Sequence, residues 1–331
     1  MTVRLLAFTD RGYALAQTLA AALDGQAARC GAPQGLAEWT AAAWKESQAL
    51  VFVGAAGIAV RAIAPHVRHK TVDPAVVVVD EAGRFAVSLL SGHLGGANGL
   101  ARRIAALCGA VPVITTATDA RGLFAVDEWA KRQNCRVQNP EAILRVSAKV
   151  LAGGTAGIYS PWPIAGRIPD HAALAEERDC DALLTLRQES GNALRLIPAI
   201  AVLGVGCRRG TSQTALEWAF AELLEDSGLN SLAFFKVCSI DLKQDEPGLL
   251  AFCQDHGFTF ETFSAQALLA VEGNFSPSAF VQSVTGVDNV CERSAVLGSG
   301  GKLAVKKQAG GGVTMAAALA PFSPDWRWQD E

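Results

Sequence analysis

His93 stands among glycines, in the run Ser91-Gly92-His93-Leu94-Gly95-Gly96-Ala97-Asn98, directly ahead of an apolar-periodic helix. An imidazole titrates near neutrality and suits acid–base chemistry there. Glycines on both sides let main chain approach a ligand closely. The amides of Gly95 and Gly96, ahead of a helix, are placed to stabilise an oxyanion. A histidine that only caps the helix is the plainer alternative. Further on, Thr115-Thr116-Ala117-Thr118-Asp119 closes a strand at the kind of sheet edge where open α/β folds bind ligands. Its hydroxyls and the Asp119 carboxylate serve either a polar substrate or the next helix cap. His93 and Asp119 are the candidate catalytic pair.

Cations gather upstream. A glycine turn, Gly54 to Gly57, feeds Arg61, and His66, Arg68, His69 and Lys70 follow Pro65. Shielded charge-assisted hydrogen bonds contribute about 1.5–3 kcal/mol each, so several would hold a polycarboxylate firmly. Cations at a solvated helix C-terminus account for the same pattern. His66 and His69 have the spacing of a metal pair but no third ligand nearby. A second cluster, Gly204-Val205-Gly206-Cys207-Arg208-Arg209-Gly210-Thr211-Ser212, joins a strand to a helix capped by Thr211 or Ser212. Free helix amides with Arg208 and Arg209 make an anion site. A dinucleotide site would need an acid roughly 20 residues on, and the next strand ends later, near Asp241. In Asp288-Asn289-Val290-Cys291-Glu292-Arg293, Asp288 reads as an N-cap with Glu292 and Arg293 one turn on.

The elements that must position these residues are short apolar strands alternating with helices, Leu5 to Phe8, Leu50 to Val53, Ala75 to Val79 and Val113 to Thr115 among them. Helical crossovers imply sheets that are largely parallel and covered on both faces. The expected architecture is two three-layer α/β domains, residues 1–133 and 199–331, joined by a small central domain or connector over 134–198. That middle segment has the densest Pro and Gly punctuation. The 331 residues are 50% hydrophobic and 18% charged with net charge −3, which disfavours a nucleic-acid partner. Eight scattered cysteines form no CxxC pair, as expected of buried thiols in a reducing cytoplasm. The N-terminus carries no basic region ahead of an apolar core, so no secretory signal is expected. No run of 18 apolar residues suggests a membrane span.

Long ordered phrases carry a resemblance. GIAVRAIAPHVRHKTVDPAVVVVDEAGRFAVSLLSGHLGGAN from Gly57, PVITTATDARGLFAVDEWA from Pro112, LGVGCRRGTS from Leu203, SIDLKQDEPGLL from Ser239, FSAQALLAVEG from Phe263 and TGVDNVCERSAVL from Thr285 occur in order. Together they resemble the cobalt-precorrin-5A hydrolase family of anaerobic cobalamin (vitamin B12) biosynthesis. The resemblance implies opening of the ring A lactone of a cobalt-bearing macrocycle and expulsion of acetaldehyde to give cobalt-precorrin-5B. It implies an anionic tetrapyrrole (corrinoid) substrate that brings its own cobalt, and no cofactor or metal of the protein's own. Gly57, Arg61, His66, Lys70, Ser91, Gly95, Gly96, Asn98, Thr115 and Thr116 become candidate substrate contacts in the first domain. Gly206, Arg208, Arg209, Thr211, Ser212, Asp288, Asn289, Glu292 and Arg293 do so in the last. Two such faces suggest a cleft gripping a flat polyanion. A homodimer, and transient hand-over to other enzymes of the pathway, complete the expectations. The competing readings are a corrinoid carrier without catalysis and an NAD(P)-binding oxidoreductase.

Overall fold

The computed structural model describes residues 2–31, 34–69, 72–93, 95–116, 122–188 and 190–328. Three mixed α/β sheets, mainly parallel, organise the chain. In the first, β1 (Val3–Ala7), β2 (Gln26–Arg29), β3 (Ala49–Val53), β4 (Ala75–Val79), β5 (Phe85–Leu90) and β6 (Val111–Val113) lie in the order β2-β1-β3-β4-β5-β6. Every residue of β3 and β4 is buried, which is why both read as unbroken apolar runs.

Alternation sorts these side chains onto two faces. Leu5, Val51, Val53, Val77 and Val79 pack against α1 (Asp10–Leu23) and α4 (Ala97–Cys108). Leu6, Leu50, Phe52, Val76 and Val78 pack with residues of α2 (Leu36–Glu46) and α3 (Ala56–Ile63). The result is three layers.

Between β4 and β5 the Asp80 carboxylate accepts the amides of Arg84 at 2.6 Å and Phe85 at 2.7 Å, closing a hairpin turn. Strand β5 therefore runs antiparallel to β4, and β6 follows β5 in parallel. Val76 pairs with Leu90 and Val87 with Val113. The segments leaving β5 and β6 thus share one sheet edge with the segment entering β4. This is the carboxyl edge of β5 and β6, as expected for Thr115, but the amino edge of the other four strands.

Helix α5 (Val126–Arg132) turns Val126, Trp129 and Ala130 inward. Trp129 is fully buried and Phe124 packs 6.0 Å from it, with Trp328 against Phe124. That spacing leaves Asp127, Glu128 and Lys131 for the opposite face.

The central segment forms a sheet of its own. Strands β7 (Cys135–Val137), β8 (Ala156–Tyr159), β9 (Ala172–Leu174), β10 (Ala182–Leu184) and β11 (Leu194–Pro198) take the order β7-β11-β10-β8-β9, with only β7 antiparallel. Helix α6 (Ala142–Leu151) lies between β7 and β8 in the chain. The third sheet holds β12 (Ala201–Cys207), β13 (Phe234–Ile240), β14 (Thr259–Phe263), β15 (Lys302–Gly310) and β16 (Val313–Leu319), in the order β14-β13-β12-β16-β15. Helices α7 (Gln213–Ser227) and α8 (Pro247–His256) contribute Leu216, Phe220, Leu249 and Phe252 to its main core. The short α9 (Ala265–Leu269) and α10 (Ala279–Thr285) precede α11 (Cys291–Ser299).

The chain divides into two compact units. One holds the described residues of Met1–Lys131, Ile143–Thr155 and Arg327–Glu331; the other holds those of Arg132–Ala142 and Ala156–Trp326. The central sheet and the last sheet thus share a unit. Burial pushes the Cys135, Cys238, Cys253 and Cys291 thiols up to about 12, so they behave as inert core groups. Among the described residues no helix is long and apolar enough to cross a membrane.

Candidate functional site

The described residues among 91–98 turn the chain from β5 into α4. Ser91 adopts φ +56°, a left-handed conformation that a side-chain-bearing residue rarely takes. Its carbonyl accepts the Ala97 amide, and the carbonyl of Gly92 accepts that of Asn98. The buried Ser91 hydroxyl has no hydrogen-bond partner among the described residues. His93 projects from this turn with its side chain only 16% exposed.

Helix α5 meets the imidazole with two acids. His93 Nδ1 lies 3.0 Å from Asp127 Oδ2, and Nε2 lies 3.6 Å from Glu128 Oε1. The other Asp127 oxygen accepts the Glu128 amide, an N–H of the first helical turn. Asn98 holds Glu128 in turn: its Nδ2 donates to Glu128 Oε1 at 3.3 Å and to Thr116 Oγ1 at 3.2 Å. Its Oδ1 accepts the Ser88 hydroxyl at 2.7 Å, which fixes the amide orientation. One buried asparagine thus ties β5, α4, the end of β6 and α5 around the histidine.

Gly96 corrects an expectation. Its amide does not await an oxyanion; it donates to the His93 carbonyl at 2.9 Å. The positive group at this place is the Lys131 ammonium, which lies so close to Gly96 that a Cβ there would collide with it. Glycine is required twice over, since Gly96 also sits at φ +89°. The sequence therefore supplied His93, Ser91, Gly95, Gly96, Asn98 and Thr116 as neighbours, with Thr115 exposed beside them. It missed Asp127, Glu128 and Lys131. The signal for these was the polar face left by Val126, Trp129 and Ala130. Asp119 and Lys70 lie outside the described residues.

The cationic segment begins inside α3 with Arg61 and continues into the connection to β4, which enters that strand on the same sheet edge as the histidine turn. Arg61 is exposed and folds back on its own helix, donating to the Gly57 carbonyl at 3.2 Å. His66 packs 5.8 Å from the Trp44 ring, and the Arg68 amide donates to the Asp73 carboxylate. His69 is exposed.

In the second unit the glycine-arginine motif is partly a strand. Gly204 and Gly206 lie within β12, paired with Ala316 and Thr314, and are not part of a phosphate-type turn. A side chain at Gly204 would strike the Cys291 carbonyl, so this glycine serves the close seating of α11 on the sheet. The turn itself runs from Arg208 to Thr211, and the Ser212 hydroxyl caps α7 by accepting the Ala215 amide. Arg208 and Arg209 are exposed. The Gly210 amide donates to Glu246 Oε1 at 2.6 Å. Burial pushes the Glu246 carboxyl up, but the Lys243 ammonium and that amide outweigh it and hold the group below its ordinary value. A cavity of about 760 Å³ opens here, lined by Arg209 and Gly210 together with Asp241, Asp245 and Glu246.

Asp288 is not the cap of α11, whose N-cap is Val290 without a side-chain bond. Asp288 instead binds Arg293 Nε at 2.8 Å, while Arg293 also donates to the Val271 and Leu268 carbonyls. Glu292 is fully buried and accepts from Ser276 N, Ser276 Oγ, Asn289 Nδ2 and Lys307 N. Asn289, Glu292 and Arg293 thus knit the loops around α11.

A family model described as "Cobalamin synthesis G N-terminal" matches residues 38–119, and one described as "Cobalamin synthesis G C-terminus" matches residues 201–318. A Salmonella typhimurium protein named cobalt-precorrin-5A hydrolase is 36% identical over 346 residues, covering 96% of this chain and 98% of that protein. The chain belongs to the cobalt-precorrin-5A hydrolase family. A second protein of that name, from Priestia megaterium, is 33% identical over 295 residues, covering 82% of this chain and 79% of its own. Protein CobE of a Sinorhizobium species is 31% identical over 100 residues, 30% of this chain and 65% of that protein. Within this cobalt-precorrin-5A hydrolase family member, His93 falls inside the N-terminal match, whereas Asp127, Glu128 and Lys131 lie just beyond it.

Proposed function

We propose that this chain is a cobalt-precorrin-5A hydrolase, which opens the ring A lactone of an anionic cobalt tetrapyrrole and releases acetaldehyde. The observation that carries the reading is the His93 imidazole held between Asp127 and Glu128 beside a glycine-rich helix start. With Asp127 accepting Nδ1–H, Nε2 is the basic nitrogen of the ring and takes a proton from water. That water attacks the lactone carbonyl. The Lys131 ammonium against Gly96 supplies positive charge for the oxyanion or for a neighbouring substrate carboxylate. Collapse breaks the ring C–O bond and returns the proton to the departing oxygen. The exposed His69, in the connection that enters β4 on the same sheet edge, suits acetate and propionate groups at the macrocycle rim. Cobalt arrives within the substrate, and the reading calls for no resident cofactor.

The test is anaerobic incubation with cobalt-precorrin-5A, following the corrinoid by mass and acetaldehyde by trapping. Turnover with stoichiometric acetaldehyde is expected, abolished by His93→Ala. Retention of the coloured ligand with no chemistry would make the protein a carrier instead.

A further inference from the structure

The reaction asks for two different proton transfers, and the site holds two separate groups on the imidazole's two sides. In the first step a water O–H bond breaks as the new C–O bond forms at the lactone carbonyl. The ring C–O bond then breaks and its oxygen leaves as a hydroxyl. In the second step that hydroxyl must lose its proton. Its O–H electrons become the second bond of the aldehyde carbonyl, the C–C bond to the macrocycle breaks, and that electron pair passes into the conjugated ring. No outside oxidant or reductant is needed.

We infer that Glu128 is the catalytic base of the second step, acting on the hydroxyl that His93 has just protonated. This assignment rests on the hydrolase reading given above. Three observations carry it. Glu128 lies on the Nε2 side of the ring at 3.6 Å, too long for a hydrogen bond, whereas Asp127 makes a 3.0 Å bond to Nδ1. Asp127 is thus committed to orienting the ring, and Glu128 shares the side on which water and the departing oxygen must sit. Its carboxylate is only 10% exposed, so it faces the site and not bulk solvent. Asn98 donates to Oε1 from a position fixed by Ser88 and Thr116, so the carboxylate is held in place on that side of the ring.

The experiment separates the two steps. Glu128→Gln keeps the shape and can still accept from Asn98 through its amide oxygen. Incubated with cobalt-precorrin-5A, it is expected to form a species heavier by one water, the opened hydroxy acid. Acetaldehyde should then appear at least about 100-fold more slowly than with the wild type. Glu128→Asp, which withdraws the carboxylate by one methylene, should restore part of the release and supplies the decision should the glutamine variant fail to fold. Loss of opening and release in parallel, or release at the wild-type rate, overturns the assignment. A wild-type protein that leaves the lactone intact defeats the hydrolase reading itself, an outcome distinct from failure of Glu128 alone.

Discussion

Asp127 reaches His93 Nδ1 at 3.0 Å across 34 residues of chain, from the first turn of a helix whose inner face is Trp129. The acid is therefore anchored by a buried indole rather than by its own loop, and the imidazole inherits that rigidity. Replacing Asp127 by Asn keeps the shape but lets the ring take the other tautomer, with the proton on Nε2. The expected result is a kcat lowered about 10²–10⁴-fold with substrate affinity nearly unchanged. Steady-state kinetics beside equilibrium binding of the corrinoid will check it.

Gly96→Ala should harm both stability and activity. At φ +89° an alanine costs about 1–2 kcal/mol, and its Cβ displaces the Lys131 ammonium. A melting temperature lower by a few degrees is expected, with turnover falling further than the stability loss explains. Lys131→Met should reproduce the activity loss while leaving the melting temperature near that of the wild type.

Glu246 predicts an acid-sensitive contact in the second unit. Its folded carboxyl titrates below the ordinary value of 4.5, so its stabilisation is complete above that value and disappears as pH falls through the folded one. Glu246→Gln should lower the urea midpoint near neutrality, with the gap to wild type closing on acidification. A gap that stays constant from neutral to acid solution would show that the Lys243 and Gly210 contacts contribute nothing through charge.

Glu292→Ala strands four buried or half-buried donors that now meet one carboxylate. A loss of about 3–5 kcal/mol follows from leaving such groups unpaired. Urea unfolding followed by fluorescence will report it. The glutamine variant should fail almost as badly, because its NH₂ would face Ser276 N or Lys307 N.

Arg208 and Arg209 flank the Gly210 turn and are exposed. If they meet substrate carboxylates, Arg208→Ala with Arg209→Ala raises KM and weakens its salt dependence while kcat holds. An unchanged KM removes this turn from substrate recognition.

Where a residue's partner was local, or its burial was complete, the chain could be read directly. Ala75–Val79 and Leu50–Val53 are legible as strands because both their faces are covered. Glycine usually ends a strand, so the run that opens at Gly204 reads as the start of a turn, whereas β12 does not stop there. It continues to Cys207 because the approach of α11 leaves no room for a side chain there. Strand β15 was missed: it is an edge strand with lysines at 302, 306 and 307, half exposed and shifted in register, so no apolar period survives. At the site, His93 is legible from its glycines, whereas acids in the first turn of a helix need no explanation beyond its dipole. Only tertiary packing reveals what they face.

The reversal of β5 puts the Asp80 to Gly83 turn and the His93 turn on opposite rims of one sheet. They stand on the order of 20 Å apart along the six-residue strand β5. Glu81 is exposed at the far rim. A fluorophore attached through a cysteine at that position would ride on the rigid hairpin, clear of the chemistry, and could report corrinoid arrival by energy transfer to the coloured ring.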